Sequence, residues 1–477
     1  MRPAAAAIVV FLAAAAVLLL EILAVRVMAP YVGVSLNTYT GIIGTVLAGL
    51  AAGAWIGGWA ADRLEPGKLV GPLLILGGVL ALATAPLATA LGDEIRSDSL
   101  RAIVFLSAAT VFLPALVLSA VHPIVVKMQL RSLAVTGSVV GRLSAFATAG
   151  ALVGTFGTGF FLTAHFPTRA ILGAVGVVLI AAGIILWWQL ARRVRPAAMI
   201  ALAVAALGAG AAAASVDGPC KVESAYACIR VVDLGDGSRK LILDSVTNAV
   251  VRPDRPAELT LPYQNVMAGA VDALVSPGEP ISALHIGGGG FTLPRYFAAN
   301  RPGSATTVME IDPAVVDTAR EDFALGDDPS LRVEEGDARL LIGDERSETY
   351  NVVIGDAFSG LSVPWQLTTK EFLEEVERLL KRRGVYVMNL IDRGTDFVRA
   401  EAATLRDTFD QVALFDLGGN RILVAANWPI IDPASGEVGG RTISPTPLAA
   451  DALDRLIGDA RILEDDFAPV DQLLLRD

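Results

Sequence analysis

Four consecutive glycines, Gly287 to Gly290, end the apolar run in ISALHIGGGGFTLPRYF (Ile281 to Phe297), and a helix-like segment follows them. Glycine lets backbone approach a ligand closely, and a new helix offers free N–H groups. A second apolar run ends in Glu310, Ile311 and Asp312. It lies about 20 residues further on, the spacing at which a strand-end carboxylate meets a ribose diol. Two more acids end apolar runs, Asp337 in Gly336-Asp337-Ala338 and Asp356 in Ile354-Gly355-Asp356. Strand-end carboxylates often only cap the next helix. Four of them in succession beside a glycine loop point to a site for a nucleoside.

The elements that would position these groups alternate strand and helix. Strands are expected at 281–287, 304–311, 330–335, 350–356 and 384–391, with helices between them. The last two runs, QVALFDL and RILVAAN, are separated only by Gly418-Gly419-Asn420, which makes a hairpin. One antiparallel strand therefore ends a parallel sheet, and that favours an S-adenosylmethionine-type sheet over a nicotinamide one. Upstream, CIRVVDL, GDGS and RKLILD read as a hairpin, with Thr247 to Val251 as a third strand and an amphipathic segment at Leu259 to Val275.

The first 216 residues are different. The chain has 477 residues, 53% of them hydrophobic, and a mean hydropathy of +0.56. Up to residue 216 there are 13 Lys+Arg against 6 Asp+Glu, leaving 25 against 43 for the rest, so the halves carry +7 and −18. Such a split indicates one half in a bilayer and one in water. The acidic half excludes nucleic acid as a partner, because phosphate binding needs a basic face.

Seven apolar stretches are long enough to span a membrane: 4–28, 38–61, 68–91, 102–125, 143–164, 169–190 and 197–215. The first is too long for a signal-peptide core and lacks a convincing cleavage site. Arg63 and Lys68, then Lys127, Arg131 and Arg142, then Arg192, Arg193 and Arg195 fall in alternate loops. In the intervening loop Asp93, Glu94 and Asp98 offset Arg96 and Arg101. The basic loops should be cytoplasmic, which leaves everything after Val216 extracytoplasmic. Cys220 and Cys228, the two cysteines of the chain, read as a disulfide on that side and as free thiols in cytosol. No histidine or further cysteine is near enough to complete a zinc site, and no metal is expected. Glu21, with Arg26 five residues on, is an intramembrane carboxylate, either a helix contact or functional. Gly57 to Arg63 resembles the cytoplasmic loop between the second and third helices of major-facilitator transporters; a small-residue helix contact ending in a capped turn reads equally well.

RKLILD, the Tyr263 segment, HIGGGG with Arg295, VMEID, GDAR, YNVVIGDAF and LTTKEF together resemble the spermidine synthase (polyamine aminopropyltransferase) family over about Cys228 to Trp428. The whole chain is similar to bacterial proteins in which transporter-like membrane helices precede such a domain. The resemblance implies aminopropyl transfer from decarboxylated S-adenosylmethionine to an amine, with no permanently bound cofactor. It implies that Gly287, Gly288 and Gly289 approach the nucleoside, that Glu310, with Asp312 beside it, holds the ribose, and that Asp337 and Ala338 meet the adenine. Asp356 would be the catalytic acid/base and Tyr263 would line the amine pocket. Four positions depart from the family pattern. Gly290 replaces a loop aspartate, Ser359 replaces a second aspartate after the catalytic one, and Gln264 and Asn265 replace a histidine and a glutamate. Carboxylates that would pair with a diamine are thereby lost.

The expected architecture is a multi-pass α-helical membrane domain (1–216), a small β-strand domain (217–257), a Rossmann-like α/β domain of the S-adenosylmethionine-methyltransferase type (258–430) and a C-terminal tail (431–477). Its partners are a small nucleoside, an amine and the lipid bilayer; the resemblance adds a homodimer. Three functions are open: a membrane-bound aminopropyltransferase, a methyltransferase on the same sheet, and a non-catalytic nucleoside or polyamine sensor coupled to the membrane half.

Overall fold

The computed structural model describes residues 1–97, 99–130, 132–190, 208, 218–392, 394–430 and 436–474. The chain divides into two compact units, Met1–Cys228 and Ile229–Asp477.

Among the described residues, the first unit contains six helices long and apolar enough to cross a membrane: α1 (Pro3–Val32), α2 (Leu36–Arg63), α3 (Pro66–Ile95), α4 (Leu100–Gln129), α5 (Leu133–His165) and α6 (Thr168–Leu190). The expected span at 197–215 lies, but for residue 208, outside the described residues, as do Asp98, Arg131, Arg192, Arg193 and Arg195. Helices α3 and α6 pack through glycine. A side-chain carbon on Gly78 would meet the Gly176 carbonyl at 2.6 Å, and one on Gly183 the Gly71 carbonyl at 2.7 Å. These contacts run in opposite directions along the two helices, which are therefore antiparallel. Close backbone approach replaces the hydrophobic effect as glue where the solvent is lipid. Gly57 lies on the backbone of Ala120 in the same manner, and Asp62 pairs with Lys127 at 2.7 Å. The Gly57 to Arg63 stretch is thus a helix contact with an ion pair at its end.

At the other end of this bundle, Arg26 does not serve Glu21. Its guanidinium pairs with Glu223 at 3.3 Å and donates to the Ser224 carbonyl at 2.6 Å. Glu223 also accepts from the Thr168 backbone N–H at 3.1 Å. Strand β1 (Val222–Glu223) is therefore held where α1 ends and α6 begins. Cys220 and Cys228 flank it and are joined by a disulfide.

The second unit opens with an antiparallel meander, β2 (Cys228–Asp233), β3 (Arg239–Leu243) and β4 (Val246–Val251). Helix α7 (Pro262–Leu274) leads into the main sheet of β5 (Ser282–Ile286), β6 (Ala305–Glu310), β7 (Leu331–Glu335), β8 (Tyr350–Gly355), β9 (Leu380–Ile391), β10 (Gln411–Asp416) and β11 (Asn420–Ala426). Their order is β10-β11-β9-β8-β5-β6-β7. Strands β5 to β9 pair in parallel, whereas β11 runs antiparallel to both β9 and β10. Leu284 and Ile286 pack into one core with Val353 and Met388, and Ala283 into another with Val352 and Val387. Covering both faces is why the strands read as continuous apolar runs. The chain reverses direction across the sheet between β5 and β8, and such a switch point opens a crevice at the strand ends.

Candidate active site

The crevice is built by two strand ends locked together. Beyond β5, the Gly287 N–H donates to the Met309 carbonyl at 2.9 Å; beyond β8, the Asp356 N–H donates to the Ile286 carbonyl at 3.0 Å. Gly287 has φ of +94°, and a side-chain carbon there would stand 2.6 Å from the Asp356 carbonyl oxygen. Glycine is required on both counts. The loop then turns into α8 (Thr292–Asn300), with Phe291 buried beneath Gly288.

A cavity of about 230 Å³ opens beside this loop. Gly287 to Gly290, Asp356 and Tyr263 line it, together with Gln264, Asn248 on β4, His285 on β5 and Asn389 on β9. Asp356 is its one carboxylate among the described lining residues. The Tyr263 hydroxyl donates to Asp356 Oδ2 at 3.2 Å, and Asn389 Nδ2 donates to Oδ1 at 2.8 Å. Asn420 Nδ2 in turn donates to Asn389 Oδ1 at 3.0 Å, which fixes the amide's orientation. Burial pushes the Asp356 carboxyl up to about 6, against the pull of these two donors. Burial, and then the neighbouring carboxylate, raise the Tyr263 phenol well above its ordinary value, so it remains a donor.

Glu310 lies directly behind the glycine loop. Its Oε2 accepts from the Gly288 N–H at 2.7 Å and the Gly289 N–H at 3.2 Å, and its Oε1 from the Asp312 N–H at 3.0 Å. Burial raises its pKa, partly offset by those N–H groups. The side chain thus braces the loop it was expected to serve from across the ligand. Asp312 and Asp337 cap helices: Asp312 accepts from the Ala314 N–H at 3.0 Å and Asp337 from the Arg339 N–H at 2.9 Å. Ala338 is buried in the short helix after Asp337. None of Glu310, Asp312, Asp337 and Ala338 lines the cavity with Asp356.

Asn389 and Asn420 were not singled out by sequence. A lone amide inside VYVMNLI is the available sign for the first, and the second follows Gly418-Gly419 in the hairpin link although it begins β11. Gly290 is filled from outside, since a side-chain carbon there would meet Ala249 Cβ and Val251 Cγ2, each at 2.6 Å.

The strand order and its one reversed member define an α/β sheet of the S-adenosylmethionine-methyltransferase type, and the acid at the switch point places the site where such sheets bind ligands. The chain is similar to polyamine aminopropyltransferases. Over 152 residues it is 34% identical to the one from Vibrio vulnificus, which covers 31% of this chain and 50% of that protein. Over 184 residues it is 29% identical to an eEF1A lysine and N-terminal methyltransferase of Xenopus laevis, covering 36% of this chain and 26% of the other. The chain spans about half the length of the curated aminopropyltransferases it matches. Among solved structures, a probable spermidine synthase from Corynebacterium glutamicum superposes with a TM-score of 0.46 at 23% identity, over 51% of this chain and 95% of that one. No family model matches the chain.

Proposed function

We propose that the second unit is an alkyl transferase of the aminopropyltransferase type, which joins an amine to the carbon beside the sulfonium of decarboxylated S-adenosylmethionine. The observation that carries this reading is the Asp356 carboxylate, held by Tyr263 and Asn389 in a cavity beside the glycine loop. The amine nitrogen attacks the methylene carbon, the carbon–sulfur bond breaks and methylthioadenosine leaves. The proton lost as the carbon–nitrogen bond forms passes to Asp356. With its pKa near 6, Asp356 is mostly ionised at neutral pH and still basic enough to assist. Gly287 to Gly289 would approach the nucleoside, and Glu310 would exchange its loop N–H groups for ribose hydroxyls.

The test uses the full chain in detergent with decarboxylated S-adenosylmethionine and a panel of amines. Methylthioadenosine should accumulate, and Asp356→Asn should abolish it. S-adenosylhomocysteine formed from S-adenosylmethionine would instead identify a methyltransferase, a reading the Xenopus relative favours. Turnover of neither donor, with binding retained, would identify a sensor.

The first unit would lie in the bilayer with the second facing away from the cytosol. Two observations support this. Arg63 and Lys68 lie at the end of the bundle where Asp62 meets Lys127, and Glu223 is held at the opposite end by Arg26 and Thr168. The disulfide beside Glu223 suits an oxidising compartment. Cysteines introduced at Glu65 and Ser347 should be labelled by an impermeant reagent in intact cells only at Ser347; the reverse pattern would invert the orientation.

A further inference from the structure

Four residues that line the cavity containing Asp356 each carry a buried polar atom with no hydrogen-bond partner among the described residues. The atoms are Gln264 Oε1, His285 Nε2, Thr292 Oγ1 and Asn248 Oδ1. The first three side chains are almost wholly buried, at 3%, 2% and 7% exposure. A buried polar atom left unpaired is destabilising, so four around one cavity are unexpected unless a ligand satisfies them. All are uncharged. Burial lowers the His285 pKa to about 3, which keeps its ring neutral and leaves one nitrogen able to accept.

Charge then separates two kinds of acceptor. A diamine brings two cationic ends, and Asp356 can compensate only the reacting one. A second ammonium among neutral groups would be buried without a counter-ion, which is strongly unfavourable. A hydroxyl or amide N–H at that far end needs only a neutral acceptor, and Gln264, His285 and Asn248 supply three. The missing carboxylates at positions 265 and 290 are then a change of specificity rather than a loss of function.

We propose that Gln264, His285, Thr292 and Asn248 form a charge-neutral subsite that selects a monoamine bearing a hydroxyl or amide donor over a diamine. The inference rests on the transferase reading only for which end of the amine reacts; the subsite itself is tested by binding.

The test compares 4-amino-1-butanol with 1,4-diaminobutane, which differ only in the far group, by calorimetry on the full chain in detergent with methylthioadenosine present. The amino alcohol should bind at least 10-fold more tightly. His285→Leu should weaken it about 10-fold while leaving methylthioadenosine affinity unchanged, and Gln264→Glu should reverse the preference by adding a carboxylate. A histidine that is mere packing would behave differently, since His285→Leu would then raise thermal stability without moving amine affinity. Tighter binding of the diamine, binding of neither amine, or an unchanged ratio in Gln264→Glu would overturn the proposal. If the binding order holds and neither amine is converted, the subsite stands and the transferase reading falls. If the diamine is the better substrate, the converse applies.

Discussion

Tyr263, the second residue of α7, donates its hydroxyl to Asp356 at 3.2 Å across 93 residues of sequence, and so ties a helix start to a strand end. That bond favours the carboxylate form. Removing it in Tyr263→Phe should raise the Asp356 pKa further above 6. The acid limb of kcat/KM against pH should move to higher pH, with kcat about 10-fold lower at neutral pH. An unshifted limb would detach Tyr263 from the catalytic acid.

Asp356 should cost stability in a pH-dependent way. Its folded pKa of about 6 lies above the ordinary aspartate value of 3.8, so the fold favours the protonated form. The penalty is absent below about pH 4, grows as pH rises through 6, and is then constant. Asp356→Asn should therefore raise Tm by roughly 3–6 °C at pH 8 and leave it nearly unchanged at pH 4. Melting curves at the two pH values decide this.

Two glycines of the loop should respond differently to alanine. At Gly287 the new carbon meets the Asp356 carbonyl at 2.6 Å with φ of +94°, whereas Gly289, with φ of +49°, has no atom within 4 Å. Gly289→Ala should cost about 1 kcal/mol, the usual left-handed penalty. Gly287→Ala should cost several times more and abolish nucleoside binding, because the strand ends must separate. Denaturant titration and methylthioadenosine affinity would show whether the two are in fact equivalent.

Arg301, 1% exposed, pairs with Asp272 at 2.6 Å and donates to the carbonyls of Val275, Ser276 and Glu279. It pins the turn after α7 to the end of α8. Arg301→Ala leaves a buried charge and three carbonyls uncompensated and should cost about 3–5 kcal/mol. Arg320→Ala, in an exposed pair with Asp317, should cost less than about 0.5 kcal/mol. Similar unfolding midpoints for the two variants would contradict the buried pair.

The main sheet was legible in the sequence because each strand is a bounded apolar run, and Gly418-Gly419 announces the reversed strand before it pairs. Asp356 stands out as a strand-end acid and Tyr263 only by resemblance, and the fold brings them together. What sequence could not supply was contact set by register. Asn389 faces Ile422 across the ladder, and Asn420 faces Ile391, so their amides meet only once β9 and β11 are aligned. Glu310 ends its strand as expected, yet the direction of its carboxylate depends on loop N–H groups that exist only after Gly287 has turned. His285 is a polar residue in an apolar strand, and only the face of β5 it occupies brings it to the cavity lining.

The filling of Gly290 by Ala249 and Val251 limits how this loop can change. Introducing an aspartate at that position in one step would collide with β4, so it first requires smaller residues at 249 and 251, changes that by themselves leave a void. Laboratory evolution toward a diamine acceptor should therefore find Gln264 before it finds Gly290.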